Sequence, residues 1–181
     1  MSDRALKPII VDLDRCWGCR TCEVACTLEH ELSPGLSFIR VEEVRGSGPI
    51  PGSLQGKSYV PILCQHCDDP ACVAACPSGA LLKGTDGIVY ANPEACIGCG
   101  ACEDSCPYGA LIVLPDSGKP CLCDLCATRQ KSGRLPACVQ HCPGKALSLA
   151  DSVPATGDET REPSKGPKHN WAVGRTVYKA R

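Results

Sequence analysis

Residues 96–110 read CIGCGACEDSCPYGA: four thiols, Cys96, Cys99, Cys102 and Cys106, fall within eleven positions, and the last is followed at once by Pro107. Three thiols spaced two residues apart can wrap one compact inorganic core while the backbone amides between them turn toward it. Gly98 and Gly100, beside these thiols, permit that close approach. The fourth thiol, three residues further on, projects the other way, and proline fixes φ and turns the chain off whatever that thiol holds.

Three more runs surround this one in a chain of 181 residues with seventeen cysteines. Cys16, Cys19, Cys22 and Cys26 repeat the C-x2-C-x2-C-x3-C spacing. Cys64, Cys67, Cys72 and Cys76 are spaced C-x2-C-x4-C-x3-C, and Cys123, Cys126, Cys138 and Cys142 are spaced C-x2-C-x11-C-x3-C, with Cys121 left over. Pro77 and Pro143 follow their fourth cysteines as Pro107 does, whereas Thr27 takes that place in the first run. The C-x2-C-x2-C-x3-C-P spacing is the bacterial ferredoxin run, whose fourth cysteine ligates the other cluster of a pair. An isolated C-x2-C pair suits structural zinc as well, but zinc takes two such pairs. Three ligands in quick succession plus a fourth, repeated along the chain, point to iron–sulfur chemistry and to four 4Fe-4S clusters.

Composition agrees with a metal-centred chain. Two Trp, four Tyr, one Phe and one Met leave ordinary hydrophobic filling thin, and an odd cysteine count excludes complete internal pairing. The start, MSDRALKP, has no apolar stretch of signal-peptide length, and no segment approaches the run of about 20 apolar residues that crosses a bilayer. The expectation is a cytoplasmic protein with reduced thiols, periplasmic only if an exported partner carries it. A formal net charge of -1 suggests neither a nucleic-acid binder nor a membrane-surface protein. Four oxidised clusters, each adding about -2, would bring the total to roughly -9, which favours a locally basic partner surface.

The repeat extends beyond cysteine: CPSGAL at 76–81, CPYGAL at 106–111 and CPGKAL at 142–147 share one frame. Short strands are expected at Ile9 to Val11, Phe38 to Val44, Tyr59 to Leu63, Ile88 to Tyr90, Leu111 to Leu114 and Ala146 to Leu149. Short helices are expected at Cys22 to His30 and Ala101 to Ser105, with a turn at Lys83 to Gly87. The fold class is therefore α+β, with ferredoxin-like units repeated around the metal. The second and third runs read as one contiguous two-cluster module at 56–119, inserted into an outer module made of 1–55 plus 120–150, so that two pseudo-symmetric halves are nested. Sequential pairing, first run with second and third with fourth, is the competing topology. The Gly, Pro and Ser-rich stretch within 27–63 is a docking arm or a surface loop. Residues 151–181 form a polar tail, with six basic residues and one acidic from Arg161 onward. Its apolar end, Trp171 to Tyr178, is suited to pairing with a partner or neighbouring subunit.

Four cluster motifs in this order, closed by CDLC and RLPACVQHCPGKAL, resemble the four-cluster ferredoxin-type electron-transfer subunits of molybdenum and tungsten oxidoreductases, the iron–sulfur subunit of dimethyl sulfoxide reductase among them. Tungsten aldehyde oxidoreductases have similar subunits. The resemblance covers about residues 7–150 and implies four ligand sets: Cys16, Cys19, Cys22 with Cys142; Cys123, Cys126, Cys138 with Cys26; Cys64, Cys67, Cys72 with Cys106; and Cys96, Cys99, Cys102 with Cys76. It further implies a non-catalytic subunit that passes single electrons through a row of clusters to or from a large molybdenum or tungsten pterin subunit, with a further redox subunit or self-association through the tail as additional contacts. Some members replace a third-run cysteine, but this chain keeps all four. The membrane helix that ends certain formate dehydrogenase subunits has no counterpart here, so no direct membrane span is expected. A free polyferredoxin, or a carrier linked to hydrogenase or carbon monoxide dehydrogenase, is the alternative.

Other residues take supporting readings. Cys121 is expected to be a nonligating thiol. His30, His66, His141 and His169 are expected outside the coordination sphere, because cysteine fills it. Lys83, Lys119, Arg129 and Lys145 either offset cluster charge or are ordinary solvated cations, and Trp17 is expected to be a lid over a cluster.

Overall fold

The computed structural model describes residues 6–45, 57–150, 169–173 and 176–180. Its three cysteine–proline repeats fold alike. Helices α2 (Ala71–Ala74), α3 (Ala101–Asp104) and α5 (Ala137–Gln140), numbered with the other elements in chain order, each stop two residues before a fourth cysteine. A turn follows, in which Gly79 N–H donates to Cys76 O at 3.3 Å, Gly109 N–H to Cys106 O at 3.0 Å and Lys145 N–H to Cys142 O at 3.2 Å. The closing residue is left-handed each time, with φ of 65°, 53° and 52°. Glycine takes that conformation freely, whereas Lys145 carries a Cβ into it. The third repeat needs its glycine one place earlier, since a Cβ on Gly144 would lie 2.8 Å from the Arg15 carbonyl oxygen.

Thr27, standing where the other runs have proline, has the opposite effect. Helix α1 (Thr21–Glu29) runs on past Cys26 for nine residues in all, against four in α2. A proline inside that helix would cost about 3 kcal/mol. The Thr27 hydroxyl instead bonds the Glu23 carbonyl at 3.0 Å and the Leu36 carbonyl at 2.5 Å, tying the helix to the loop beyond it.

Each cysteine–proline turn delivers the chain into a strand. β4 (Leu81–Lys83) pairs with β5 (Val89–Ala91) around the expected turn, and β6 (Leu111–Val113) pairs with β7 (Pro120–Leu122), both antiparallel. β8 (Leu147–Leu149) lies antiparallel to β1 (Ile9–Asp12). β2 (Ile39–Arg45) and β3 (Lys57–Leu63) form a seven-residue antiparallel ladder with Ile39 opposite Leu63. β9 (His169–Val173) and β10 (Thr176–Ala180) complete a sheet of order β8-β1-β10-β9, in which β10 is parallel to β1. The apolar end at Trp171 to Tyr178, suited by its sequence to a partner or neighbouring subunit, is thus engaged within the chain, where β10 takes the open edge of β1. The linker at 151–168 and the loop at 46–56 lie outside the described residues.

Alternation explains the packing. In β1, Ile9 and Val11 are fully buried while Ile10 and Asp12 are half-buried, as the two-residue period of a strand requires. The larger core joins Ile9, Val11, Ile39, Val41, Leu63, Leu125 and Leu147 to Cys22, Cys26, Cys123, Cys138 and Cys142. A smaller one joins Leu81, Val89, Leu111 and Leu122 to Cys102, with Cys72, Cys76 and Cys106 packed against it. The fold is thus mixed α/β, and cysteine sulfur is part of both cores.

Candidate metal centres

Every run opens with the same local device. The residue two places after the first cysteine is left-handed: Gly18 (φ 78°), His66 (48°), Gly98 (72°) and Leu125 (58°). Its N–H thereby points back at the first sulfur. Gly98 N–H lies 3.3 Å from Cys96 Sγ and Leu125 N–H 3.4 Å from Cys123 Sγ, and Gly18 and His66 donate likewise to Cys16 and Cys64. Such inward N–H groups form a nest that favours negative charge on sulfur. Glycine at two of these positions was a visible signal. Buried His66 and Leu125 in the same conformation were not, because nothing in residue type marks them as left-handed.

The thiols gather in four neighbourhoods. Cys16 feels the charge of Cys142 and Cys19, and Cys22 that of Cys16 and Cys142. Cys16, Cys19, Cys22 and Cys142 line one cavity, walled by Trp17, Pro143 and Gly144. Cys76, Cys96, Cys99 and Cys102 line another. Cys64 neighbours Cys72, Cys67 and Cys106. Cys26 and Cys126 lie beside Cys138, and Cys26 and Cys138 beside Cys123. Each neighbourhood draws three sulfurs from one run and one from another. Influence also crosses between neighbourhoods: Cys138 feels the charge of Cys22, and Cys123 that of Cys64.

Burial decides the protonation of most of these thiols. Desolvation pushes Cys22 and Cys64 up to about 12 and Cys26 and Cys126 up to about 11, and raises Cys123 and Cys138 well above the usual thiol range. Cys19 goes the other way. Its slight burial opposes ionisation, but hydrogen bonds from Thr21 and from the Trp17 indole outweigh that and lower it. Four-sulfur cradles whose buried thiols would ionise only beside positive charge fit a resident metal–sulfur group, and sulfur is the donor set that such clusters use.

The supporting residues divide. Lys83 Nζ donates to Cys67 O at 2.5 Å and Asp68 O at 3.0 Å, and Lys119 Nζ donates to Cys96 O at 2.7 Å, so both ammonium groups are held at cysteine loops. Arg129 is buried and committed to structure: it pairs with Glu29 at 2.6 Å, donates to Leu135 O at 2.6 Å and bonds Gln140. It locks α1 to α5 and to α4 (Ala127–Lys131). Lys145 is exposed. Trp17, 55% exposed, stands on the wall of the first cavity. Cys121, on β7, has a thiol raised by desolvation alone and lies outside all four neighbourhoods. His66 Nδ1 accepts the Val89 N–H at 3.0 Å, His141 is exposed, and the side chain of His169 lies outside the described residues.

Sequence reasoning passed over several contacts. Phe38 N–H donates to Cys26 Sγ at 3.4 Å, the Tyr59 ring lies over Gly18, and Arg40 bonds the carbonyls of Tyr108 and Gly109 in the third run's turn. All three come from outside the cysteine runs, where spacing carries no signal. No described helix is long and apolar enough to cross a membrane.

Known proteins of similar sequence point one way. Residues 56–152 match the 4Fe-4S dicluster domain and residues 13–29 a 4Fe-4S binding domain. YnfG of Escherichia coli (strain K12), a probable anaerobic dimethyl sulfoxide reductase component, is 42% identical over 149 residues, covering 77% of this chain and 70% of that one. The B subunit of anaerobic dimethyl sulfoxide reductase from the same organism is 41% identical over 149 residues, with the same coverage of 77% and 70%. The thiosulfate reductase electron transfer subunit PhsB of Salmonella typhi is 37% identical over 139 residues, covering 76% of this chain and 72% of that one.

Proposed function

This protein belongs to the family of ferredoxin-type iron–sulfur subunits that includes the B subunit of anaerobic dimethyl sulfoxide reductase, and from that membership we propose that it is an electron-transfer subunit without a catalytic site of its own. It carries single electrons through a row of four 4Fe-4S clusters to or from a molybdenum or tungsten pterin subunit. When bound, such a cluster supplies a one-electron couple.

The protein's own part is to hold, insulate and align. The ligand sets are Cys16, Cys19, Cys22, Cys142; Cys123, Cys126, Cys138, Cys26; Cys64, Cys67, Cys72, Cys106; and Cys96, Cys99, Cys102, Cys76. The observation that carries this reading is the grouping of thiols three from one run and one from another, together with the electrostatic influence of Cys22 on Cys138 and of Cys64 on Cys123, which sets three of the four groups side by side. Zinc takes two C-x2-C pairs, whereas each neighbourhood draws three sulfurs from one run and one from another, which favours a cluster over zinc. Sulfur occupies every coordination place in this reading, so no iron is left open for substrate.

The two modules follow from the same sets: an inner one at 56–119 and an outer one from 1–55 plus 120–150, with the tail 151–181 beyond. The two cores follow the division in part: the smaller is built from β4 to β7, the last from the outer module, and the larger from β1, α1, β2, α5 and β8 with Leu63 and Ile88 of the inner module. The β6–β7 and β2–β3 pairings carry the chain across the boundaries.

Native purification tests the proposal. A co-purifying large pterin subunit and about sixteen irons per chain are expected. The alternative is a free polyferredoxin or a carrier linked to hydrogenase or carbon monoxide dehydrogenase, whose tail would be expected to lack a fixed partner, whereas β10 pairs with β1. A brown protein that purifies alone would favour that alternative and defeat the subunit reading.

A further inference from the structure

Beyond the ligands, one side chain from the loop after α1 reaches a ligand sulfur. His30 follows the last residue of α1, one helical turn beyond Cys26, and its Nε2 lies 3.6 Å from Cys126 Sγ. The same nitrogen is 3.7 Å from Asp124 Oδ1, and the imidazole is 19% exposed. Among the described residues, His30, Asp124 and Cys126 are the group of mixed donors that converges within 4.8 Å. Asp124 is itself fixed: its carboxylate accepts Cys126 N–H at 2.8 Å and Ala127 N–H at 3.2 Å. Phe38 packs edge-on against the imidazole, with ring centroids 4.9 Å apart. Its own N–H goes to Cys26 Sγ. Residues 30 and 38 of one loop thus approach two sulfurs of one ligand set.

We propose that His30 is a positioning residue that donates its Nε2–H to the Cys126 sulfur and so raises the reduction potential of the cluster held by Cys26, Cys123, Cys126 and Cys138, apart from the other three. A donor on a ligand sulfur withdraws electron density from the cluster and stabilises its reduced form. The Phe38 ring packs on the imidazole and fixes its plane, with the Asp124 carboxylate beside the same nitrogen at 3.7 Å. Residues 30–38, between α1 and β2, thus supply both the donor and the ring packed on it.

This inference rests on the ligand sets proposed above, and the test separates the two. EPR-monitored redox titration of the full chain, purified with its clusters, is compared for wild type, His30→Leu, His30→Gln and Cys126→Ser. His30→Leu is expected to lower one midpoint potential of four at unchanged iron and sulfide content. His30→Gln, which keeps an N–H donor, recovers part of the shift, and Cys126→Ser alters the same signal. Pulsed EPR of wild type labelled with 15N-histidine shows a nitrogen coupling on that cluster, a readout that survives even if a variant assembles poorly. Potentials unmoved by His30→Leu, an equal shift of all four, or no nitrogen coupling in wild type overturns the inference while Cys126→Ser still marks its cluster. If Cys126→Ser alters no cluster, the ligand assignment fails and takes the inference with it.

Discussion

At the scale of single residues, sulfur partners and glycines make different kinds of claim. The proposed cross-run ligation predicts that Cys142→Ser and Cys16→Ser damage the same cluster, read as loss of the same EPR signal. Pairing of the first run with the second would instead leave Cys142→Ser without effect on the Cys16 cluster. Gly18 and Gly79 are both left-handed, with φ of 78° and 65°, but only Gly18 is crowded: a Cβ there would run into the Tyr59 ring, whereas nothing lies within 4 Å at Gly79. Gly79→Ala should therefore cost about 1–2 kcal/mol of conformational strain. Gly18→Ala should cost more and loosen the first cradle, seen as faster iron loss to a chelator. The cysteines were legible because ligand spacing is written locally. His30, Asp124 and Phe38 were not, because their importance arises from a fold that brings α1, β2 and α4 together.

At the scale of elements, one residue type sets helix length. Proline follows the fourth cysteine wherever a four-residue helix ends, and Thr27 stands where α1 continues for nine. Thr27→Pro should end α1 at or before Cys26, at a cost of about 3 kcal/mol, and loosen the last turn that carries the Arg129–Glu29 ion pair. A fall in holo-protein melting temperature measures this, and an unchanged value would show that the last turn of α1 carries no stability. The strands expected at Ile9 to Val11, Tyr59 to Leu63 and Leu111 to Leu114 are present within a residue or two. Their β-branched and apolar runs have the two-residue alternation that a half-buried sheet selects. β4 and β7 were not legible because LLK and PCL contain no β-branched or aromatic residue and no apolar–polar alternation. The tail strands were legible as apolar segments, but their partner was not, since the open edge of β1 is a property of the assembled sheet.

At the scale of the whole molecule, burial couples assembly to pH. With Cys22 and Cys64 pushed up to about 12 and Cys26 and Cys126 to about 11, these thiols are protonated in the metal-free chain at neutral pH. A ligand must be a thiolate, so cluster insertion releases about one proton for each thiol ionised. The direction follows: insertion becomes less favourable as pH falls, and proton release persists across the range below about 11. A pH-stat during anaerobic reconstitution checks this, and cluster insertion without proton release would mean that the thiols were already ionised. The arrangement of four clusters in a row is the central claim, and its most direct test is iron and acid-labile sulfide analysis of anaerobically purified protein, with spin quantitation after full reduction. About sixteen irons, an equal amount of sulfide and close to four spins per chain are predicted; zinc in place of iron, or iron without labile sulfide, would contradict it.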